Sequence, residues 1–255
     1  MERRTKIVVT LGPAVDSKER IKELIDAGMN VARLNCSHGD WEAKRKWIEW
    51  IREMSPNHGP VAILADLQGP KFRVGTLPTS GLDLVAGQMV TLGVDAQIPI
   101  HQQEILDEMD AGDRLLLGDG EIEIKINHHT GQWFEGTVVT GGNLKSKKGV
   151  TLVGHAFKVP ALTNKDVGDL REAIDAGVDF VALSYVKQAE DIKLLKWELD
   201  KLGAKPKICA KIETPEATHE LDSIIEEVDI IMVARGDMGL QMDIEDVPRL
   251  QKRII

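Results

Sequence analysis

The chain has 255 residues, 42% apolar and 29% charged, with 32 Lys+Arg against 41 Asp+Glu and a formal net charge of −9. This excludes a disordered chain or a small stapled fold and leaves one to two globular domains or a single α/β barrel. The negative balance argues against nucleic acid or an anionic membrane as the main partner. Two cysteines, Cys36 and Cys209, form no CxxC pattern, which excludes a disulfide framework or zinc ribbon and suits a reducing compartment. The polar start, Met1 to Lys6, lacks a signal-peptide pattern, and no run is long and apolar enough to span a bilayer. The expectation is a cytoplasmic, soluble protein.

In chain order, the apolar run Ile7–Leu11 precedes a helical pattern over Ser17–Ala27, a run Val31–Leu34, a helix over Trp41–Met54 and a run Val61–Ala65. The runs are near-continuous and rich in β-branched residues, as expected of strands covered on both faces. From Lys71 to Phe157 the pattern changes to short segments, Met89–Val94, Arg114–Leu117, Glu121–Ile126 and Glu135–Val139, with turns expected at Gly118-Asp-Gly120 and Gly141-Gly-Asn143. Glu121-Ile-Glu-Ile-Lys-Ile126 alternates with period two, the mark of a half-buried antiparallel strand, so an all-β domain is expected after the third strand.

The earlier alternation then resumes, with helices over Asn164–Ala176, Glu190–Leu202 and Pro215–Glu226 and strands Phe180–Leu183, Ile208–Ile212 and Ile230–Ala234. Such alternation predicts a parallel α/β sheet or barrel. An internal echo, Ile25-Asp-Ala-Gly-Met-Asn30 and Ile174-Asp-Ala-Gly-Val-Asp179, supports repeated units, with Gly28 and Gly177 expected in left-handed helix C-caps.

Polar residues cluster at the ends of the outer strands. Arg33 and Asn35 end the second, with Ser37 and His38 following; Asp66 closes the third and Ser184 the fourth; Lys211 and Glu213 end the fifth; Arg235 and Asp237 close the sixth. A spacing of two places both members of a pair on one face of a strand, and the carboxyl ends of parallel barrel strands form the active face. Glu213 and Asp237 can hold a hard cation such as Mg²⁺, while Arg33, Arg73, Lys211 and Arg235 suit phosphate, carboxylate or an oxyanion. Gly236 permits close backbone approach to a ligand. The set points to a phosphorylated, carboxylated small molecule bound through a metal. No Walker or G-x-G-x-x-G loop is present. His128 and His129 are expected in a surface turn, Cys36 as a packing residue, and Trp41, Trp47 and Trp50 in helix packing.

Thr5-Lys-Ile-Val-Val-Thr-Leu-Gly-Pro13, Asn30-Val-Ala-Arg-Leu-Asn-Cys-Ser-His-Gly39, Asp66-Leu-Gln-Gly-Pro-Lys71, Lys147-Lys-Gly-Val150, Ala210-Lys-Ile-Glu213 and Val233-Ala-Arg-Gly-Asp237 together resemble the pyruvate kinase family, from about residue 5 to the last residue. The resemblance implies a TIM-type (β/α)8 A barrel over 1–70 and 158–255, with about six of eight units, and an inserted β-barrel B domain, the lid, over 71–157. It implies phosphoryl transfer from phosphoenolpyruvate to ADP, giving pyruvate and ATP in glycolysis. Lys211, Arg33 and Arg73 would be catalytic, and Lys211 with the N–H groups of Gly236 and Asp237 would bind substrate. Glu213 and Asp237 would hold Mg²⁺ (or Mn²⁺), and Asn35, His38, Asp119 and Lys147 would lie on the nucleotide side. The full-length family form implies a homo-oligomer, a tetramer.

Two departures from the family pattern carry expectations of their own. Potassium-dependent members read Asp-Thr-Lys-Gly-Pro-Glu where this chain has Asp66-Leu-Gln-Gly-Pro-Lys71. Their monovalent cation sits at positions matching Asn35, Ser37, Asp66 and Leu67; here the Lys71 ammonium is expected to supply that charge and make K⁺ dispensable. The last residues, Gln251-Lys-Arg-Ile-Ile255, fall in the helix after the sixth strand, so a truncated barrel is expected. The alternative is therefore a catalytically silent fragment serving as a binding or regulatory module. A third reading, a lyase or mutase barrel acting on phosphoenolpyruvate or pyruvate, is disfavoured because a lid suits a second, nucleotide substrate.

Overall fold

The computed structural model describes residues 4–155, 157 and 159–255. Met1 to Arg3, part of the polar start, and Lys158, where the second barrel segment is expected to begin, lie outside the described residues.

In chain order, β1 (Val8–Leu11), α1 (Lys18–Asp26), β2 (Val31–Asn35), α2 (Trp41–His58) and β3 (Ala62–Asp66) alternate. Strands β4 (Leu82–Leu84), β5 (Met89–Gly93) and β6 (Ile98–Pro99), helix α3 (Gln103–Asp107), and strands β7 (Arg114–Leu117), β8 (Ile122–His129), β9 (Phe134–Thr140), β10 (Gly142–Leu144) and β11 (Val150–Leu152) follow. Alternation returns with α4 (Asn164–Asp175), β12 (Phe180–Leu183), α5 (Ala189–Lys201), β13 (Lys207–Ile212), α6 (Pro215–His219), α7 (Leu221–Ile225), β14 (Ile230–Val233), α8 (Arg235–Gln241) and α9 (Val247–Ile254).

Strands β1, β2, β3, β12, β13 and β14 form one sheet in that order. The pairs β1–β2, β2–β3, β3–β12 and β12–β13 are parallel. This is a TIM-type (β/α)8 architecture represented by six strand–helix units, with an insert that is mainly β and, unlike the all-β domain expected, carries the short helix α3. The chain divides into two compact units: one holds 1–69, 160–212 and 220–232, the other 70–159, 213–219 and 233–255.

In the first unit, α1 and α4 begin and end on local signals. Ser17 caps α1 by accepting from Arg20 N, Thr163 and Asp166 close a capping box at α4, and Gly28 (φ 98°) and Gly177 (φ 74°) take the left-handed conformation that turns the chain into the next strand. The strands carry two faces. Ala32, Leu34, Ile63, Ala65, Val181, Ile208 and Ala210 are buried on one. On the other, Leu64, Ala182 and Cys209 form a layer with Val31, Phe180 and Met232. Two residues beyond that layer, the same face turns polar, at Arg33, Asp66, Ser184 and Lys211. Burial of each large aliphatic side chain contributes about 1.5–3 kcal/mol, which fixes the strand register that carries these polar ends.

In the second unit, β11, β7, β8, β9, β5 and β6 form a sheet in that order, and β10 pairs with β4. Ile122, Ile124 and Ile126 of β8 enter a core with Leu92, Leu115 and Leu117. Two expected turns prove to be strand. Gly142 and Asn143 lie in β10, paired with Leu84 and Asp83, and Asn143 Nδ2 donates to Asp83 Oδ1 at 2.6 Å. His128 and His129 end β8, opposite Glu135 and Phe134, and remain exposed; the reversal occurs later, where Thr130 N bonds Trp133 O. The partner of β10 lies 60 residues earlier in the chain, at Asp83, and β8 runs on through the histidines because β9 continues opposite them.

Two further expectations are corrected. The helix anticipated over 215–226 is two helices, α6 and α7, broken at Glu220 (φ −95°, ψ 18°), whose carbonyl accepts from Ser223 Oγ at 2.8 Å. Strand β14 ends at Val233, and Arg235 and Asp237 stand in the first turn of α8, where Met238 N bonds Ala234 O at 2.9 Å. Their spacing of two therefore does not put them on one strand face.

Candidate active site

The polar end of the first unit is built around Asp66, which is 2% exposed. Asp66 closes β3 in register with Asn35 of β2 and Ala182 of β12. Arg33, two residues before Asn35, reaches across to Asp66 Oδ2 through Nε at 2.7 Å and also through Nη2. Its Nη1 donates to Thr10 Oγ1 of β1 at 3.2 Å. From the other side, the Lys211 ammonium stands 3.3 Å from Asp66 Oδ1 and donates to Ser184 Oγ at 2.6 Å. Ser184 Oγ in turn donates to the Leu67 carbonyl at 2.6 Å. One buried carboxylate thus holds two cations at the carboxyl ends of parallel strands. An ammonium only 7% exposed is a preorganised positive charge, because partial removal from water strengthens its field on any anion it meets.

The segment after Asp66 is tightly determined. Leu67 N bonds Ala182 O at 3.0 Å and Gly69 N bonds Asp166 Oδ1 at 3.1 Å. Gly69 has φ 69°, and a Cβ there would sit 2.9 Å from Tyr185 Cδ2 and 3.1 Å from Ser184 Cβ. Only glycine satisfies both conditions.

The loop after β2 carries the remaining first-unit candidates. Asn35 Oδ1 accepts from Ser37 N at 2.9 Å, Cys36 is buried, and His38 is exposed. Burial pushes the Cys36 thiol up to about 12, which makes it the packing residue expected and no nucleophile.

In the second unit, Glu213 follows β13 and is fully buried, while Gly236 and Asp237 lie in the first turn of α8. The Lys71 ammonium stands 3.9 Å from Asp237 Oδ1. Arg73 donates through Nη1 to the Lys147 carbonyl at 2.8 Å, and its backbone bridges Gly149. Lys147 has φ 63°, a left-handed turn held by its N–H on Val74 O at 3.0 Å. Asp119 is exposed in the β7–β8 turn, its N–H bonded to Glu121 Oε2 at 3.0 Å. Among the described residues no group of three or more His, Cys, Asp or Glu side chains could hold a metal ion. Glu213, wholly buried, and Asp237 are oxygen donors of the kind that Mg²⁺ takes, one or two protein carboxylates with water and substrate oxygens completing the shell.

The model of the family described as pyruvate kinase, barrel domain, matches residues 2–255. The chain belongs to the pyruvate kinase family. It is 43% identical to the pyruvate kinase of Corynebacterium efficiens and 39% identical to that of Mycobacterium tuberculosis, over the whole of this chain and 55% and 56% of those proteins. It is 39% identical to the pyruvate kinase of Thermotoga maritima, over 99% of this chain and 56% of that one. The chain therefore spans about half the length of the curated relatives it matches.

Within this pyruvate kinase sequence, the structure brings Arg33, Asp66, Ser184 and Lys211 together and pairs Lys71 with Asp237. Sequence reading passed over Thr10, which lies beside Arg33 in the β1–β2 register, and Asp166, whose capping role conceals its bond to Gly69. It also passed over Lys44, 2% exposed on α2. A lysine at a helical position reads as a solvated face, and nothing local marks this one as buried. Among the described residues no helix is long and apolar enough to cross a membrane.

Proposed function

We propose that this chain carries pyruvate kinase chemistry, transferring the phosphoryl group of phosphoenolpyruvate to ADP to give pyruvate and ATP. The observation that supports it most is the buried Lys211 ammonium, poised between Asp66 Oδ1 and Ser184 Oγ beside the Arg33 guanidinium. Phosphoryl transfer needs positioning and charge neutralisation more than covalent help from the protein. A terminal oxygen of ADP attacks phosphorus, the bond from phosphorus to the enol oxygen breaks, and the enolate takes a proton from solvent water at its methylene carbon. Lys211 neutralises charge on the transferring group and on the enolate oxygen. Arg33 and Arg73 contact the phosphoryl oxygens, and the N–H groups of Gly236 and Asp237 receive the substrate carboxylate.

Glu213 and Asp237 would hold Mg²⁺ (or Mn²⁺), which when bound supplies positive charge to phosphoryl and enolate oxygens. Asn35, His38, Asp119 and Lys147 face the nucleotide in this reading, with 71–157 as the lid. Lys71 supplies a fixed positive charge in place of a K⁺ ion at the region of Asn35, Ser37, Asp66 and Leu67. A cytoplasmic, glycolytic, homo-oligomeric setting belongs to the same proposal.

A second reading is a module that binds phosphoenolpyruvate and metal without turnover. Adding phosphoenolpyruvate, ADP and Mg²⁺ and following pyruvate through a coupled dehydrogenase separates the two. Pyruvate formation that needs ADP supports the kinase; saturable phosphoenolpyruvate binding with no pyruvate supports the silent module.

A further inference from the structure

We infer that Lys44 and Lys165 are positioning residues that hold the loop after β2 in the shape the nucleotide requires. This rests on the kinase reading above, which puts Asn35 and His38 on the nucleotide side.

The loop turns at Gly39, with φ 68°, and its carbonyls receive two ammonium groups. Lys44 Nζ donates to His38 O at 2.6 Å and to Asp40 O at 3.3 Å. Lys165 Nζ, from α4, donates to Cys36 O at 2.7 Å, while Cys36 N bonds Asp66 O at 2.9 Å. Asp169, also on α4, ties Lys165 to α2: its Oδ2 accepts from Lys165 Nζ at 2.5 Å and its Oδ1 from Trp41 Nε1 at 2.8 Å. The Trp41 ring lies 5.7 Å from Lys44 Nζ. A Cβ on Gly39 would stand 3.5 Å from the same nitrogen, so the turn and the ammonium are fitted to one another.

Lys44 is 2% exposed, and burial lowers its pKa, so the ammonium sits there against its own solvation. Methionine would fill that volume without the desolvation cost. Methionine could not, however, donate to two carbonyls at once, and that is the service an ammonium with three N–H groups performs. The acceptors are the backbone of Cys36, His38 and Asp40. Fixing those peptide planes fixes the directions of Asn35, Ser37 and His38 between and beside them. Arg33, Asp66, Ser184 and Lys211 are held by contacts that include neither lysine. Loss of the clamp should therefore act on the nucleotide and spare phosphoenolpyruvate.

The test compares the unmodified chain with Lys165→Met, Lys44→Met and Lys165→Arg, measuring KM for each substrate, MgADP affinity by calorimetry and the thermal midpoint. Lys165 is the first choice because its side chain is 49% exposed and its replacement leaves the core intact. Each Met variant is expected to weaken MgADP binding and raise its KM by about tenfold, less than the roughly hundredfold that a full 1 Å misplacement can cost, with the KM for phosphoenolpyruvate nearly unchanged. Lys165→Arg, which keeps a donor for Cys36 O, should recover most of the loss. Folded variants with unaltered MgADP affinity, or with equal changes for both substrates, overturn the positioning role. If Lys44→Met does not fold, Lys165→Met decides. Failure of the unmodified chain both to bind MgADP and to form ATP overturns the kinase reading instead, and this inference with it.

Discussion

Arg33 and Asp66 stand on neighbouring strands, and two N–H groups of the guanidinium close on the same oxygen, Asp66 Oδ2, leaving Oδ1 to face Lys211 at 3.3 Å. The carboxylate is the hub on which both cations depend. Asp66→Asn keeps the shape but removes the charge, leaving two cations beside a neutral amide. The expected loss of stability is about 3 kcal/mol, as for a buried ion pair stripped of one partner. Urea unfolding of the variant measures it, and a midpoint equal to that of the unmodified chain would refute the role of Asp66 as hub.

Lys211→Met tests the charge itself. The Met side chain matches the length of the stem while removing the donor to Ser184 Oγ and the positive charge. Activity is expected to fall on the order of a thousandfold, comparable to loss of a principal oxyanion-stabilising group. A coupled assay on a variant with unchanged circular dichroism reads this out; residual activity within tenfold would move the role of main charge stabiliser to another residue.

Gly69→Ala tests the turn behind the site. The left-handed φ of 69° and the 2.9 Å approach to the Tyr185 ring act in the same direction. Destabilisation of about 1–3 kcal/mol is expected from backbone strain. Because the new methyl also presses on Ser184 Cβ, the KM for phosphoenolpyruvate should rise with the fall in thermal midpoint. A stable variant with unchanged kinetics contradicts the packing described.

The two thiols set a pH dependence. Burial raises both Cys36 and Cys209 from an ordinary value of 9.0 to about 12. The native state keeps these protons where the unfolded chain releases them. Their contribution is complete below pH 9.0 and is lost as pH rises from there through about 12. Thermal midpoints measured across that window should decline, less steeply in Cys36→Ala/Cys209→Ala. At pH 8 iodoacetamide should label neither thiol until denaturant is added; rapid labelling of the folded chain would show that burial is incomplete.

Lys71 gives the salt prediction. Its ammonium lies 3.9 Å from Asp237 Oδ1, beside a proposed metal ligand. Activity of the unmodified chain should not change when K⁺ is replaced by a tetraalkylammonium salt. Lys71→Met should lose about tenfold or more in that salt, up to the roughly hundredfold scale of a misplaced reacting group, and regain much of it with K⁺. A strict K⁺ requirement in the unmodified chain would end the idea that the lysine substitutes for the ion.

Much of the fold is legible in the residues. Phe180–Leu183 is a continuous apolar run because both faces of that parallel strand are covered, and Gly28 and Gly177 announce the turns into β2 and β12 by requiring positive φ. The Arg33, Asp66, Ser184 and Lys211 set is also visible, as polar ends on apolar strands. By contrast, His128 and His129 belong to β8 because β9 continues opposite them, a fact of pairing absent from their own surroundings. Lys44 and Lys165 look like any helix-surface lysines until α2 and α4 stand against the loop whose carbonyls they bind.

The sequence by itself determined the strand–helix units, the β-rich insert and the family, since each is written in short-range periodicity and in motifs of adjacent residues. Tertiary structure alone decided which charges meet. Asp66 receives both Arg33 and Lys211 because β2, β3 and β13 are held in register by the apolar layer beneath them, not because of any spacing along the chain. Periodicity tells which face of a strand a side chain takes; only the packing of strands distant in sequence tells what it finds there.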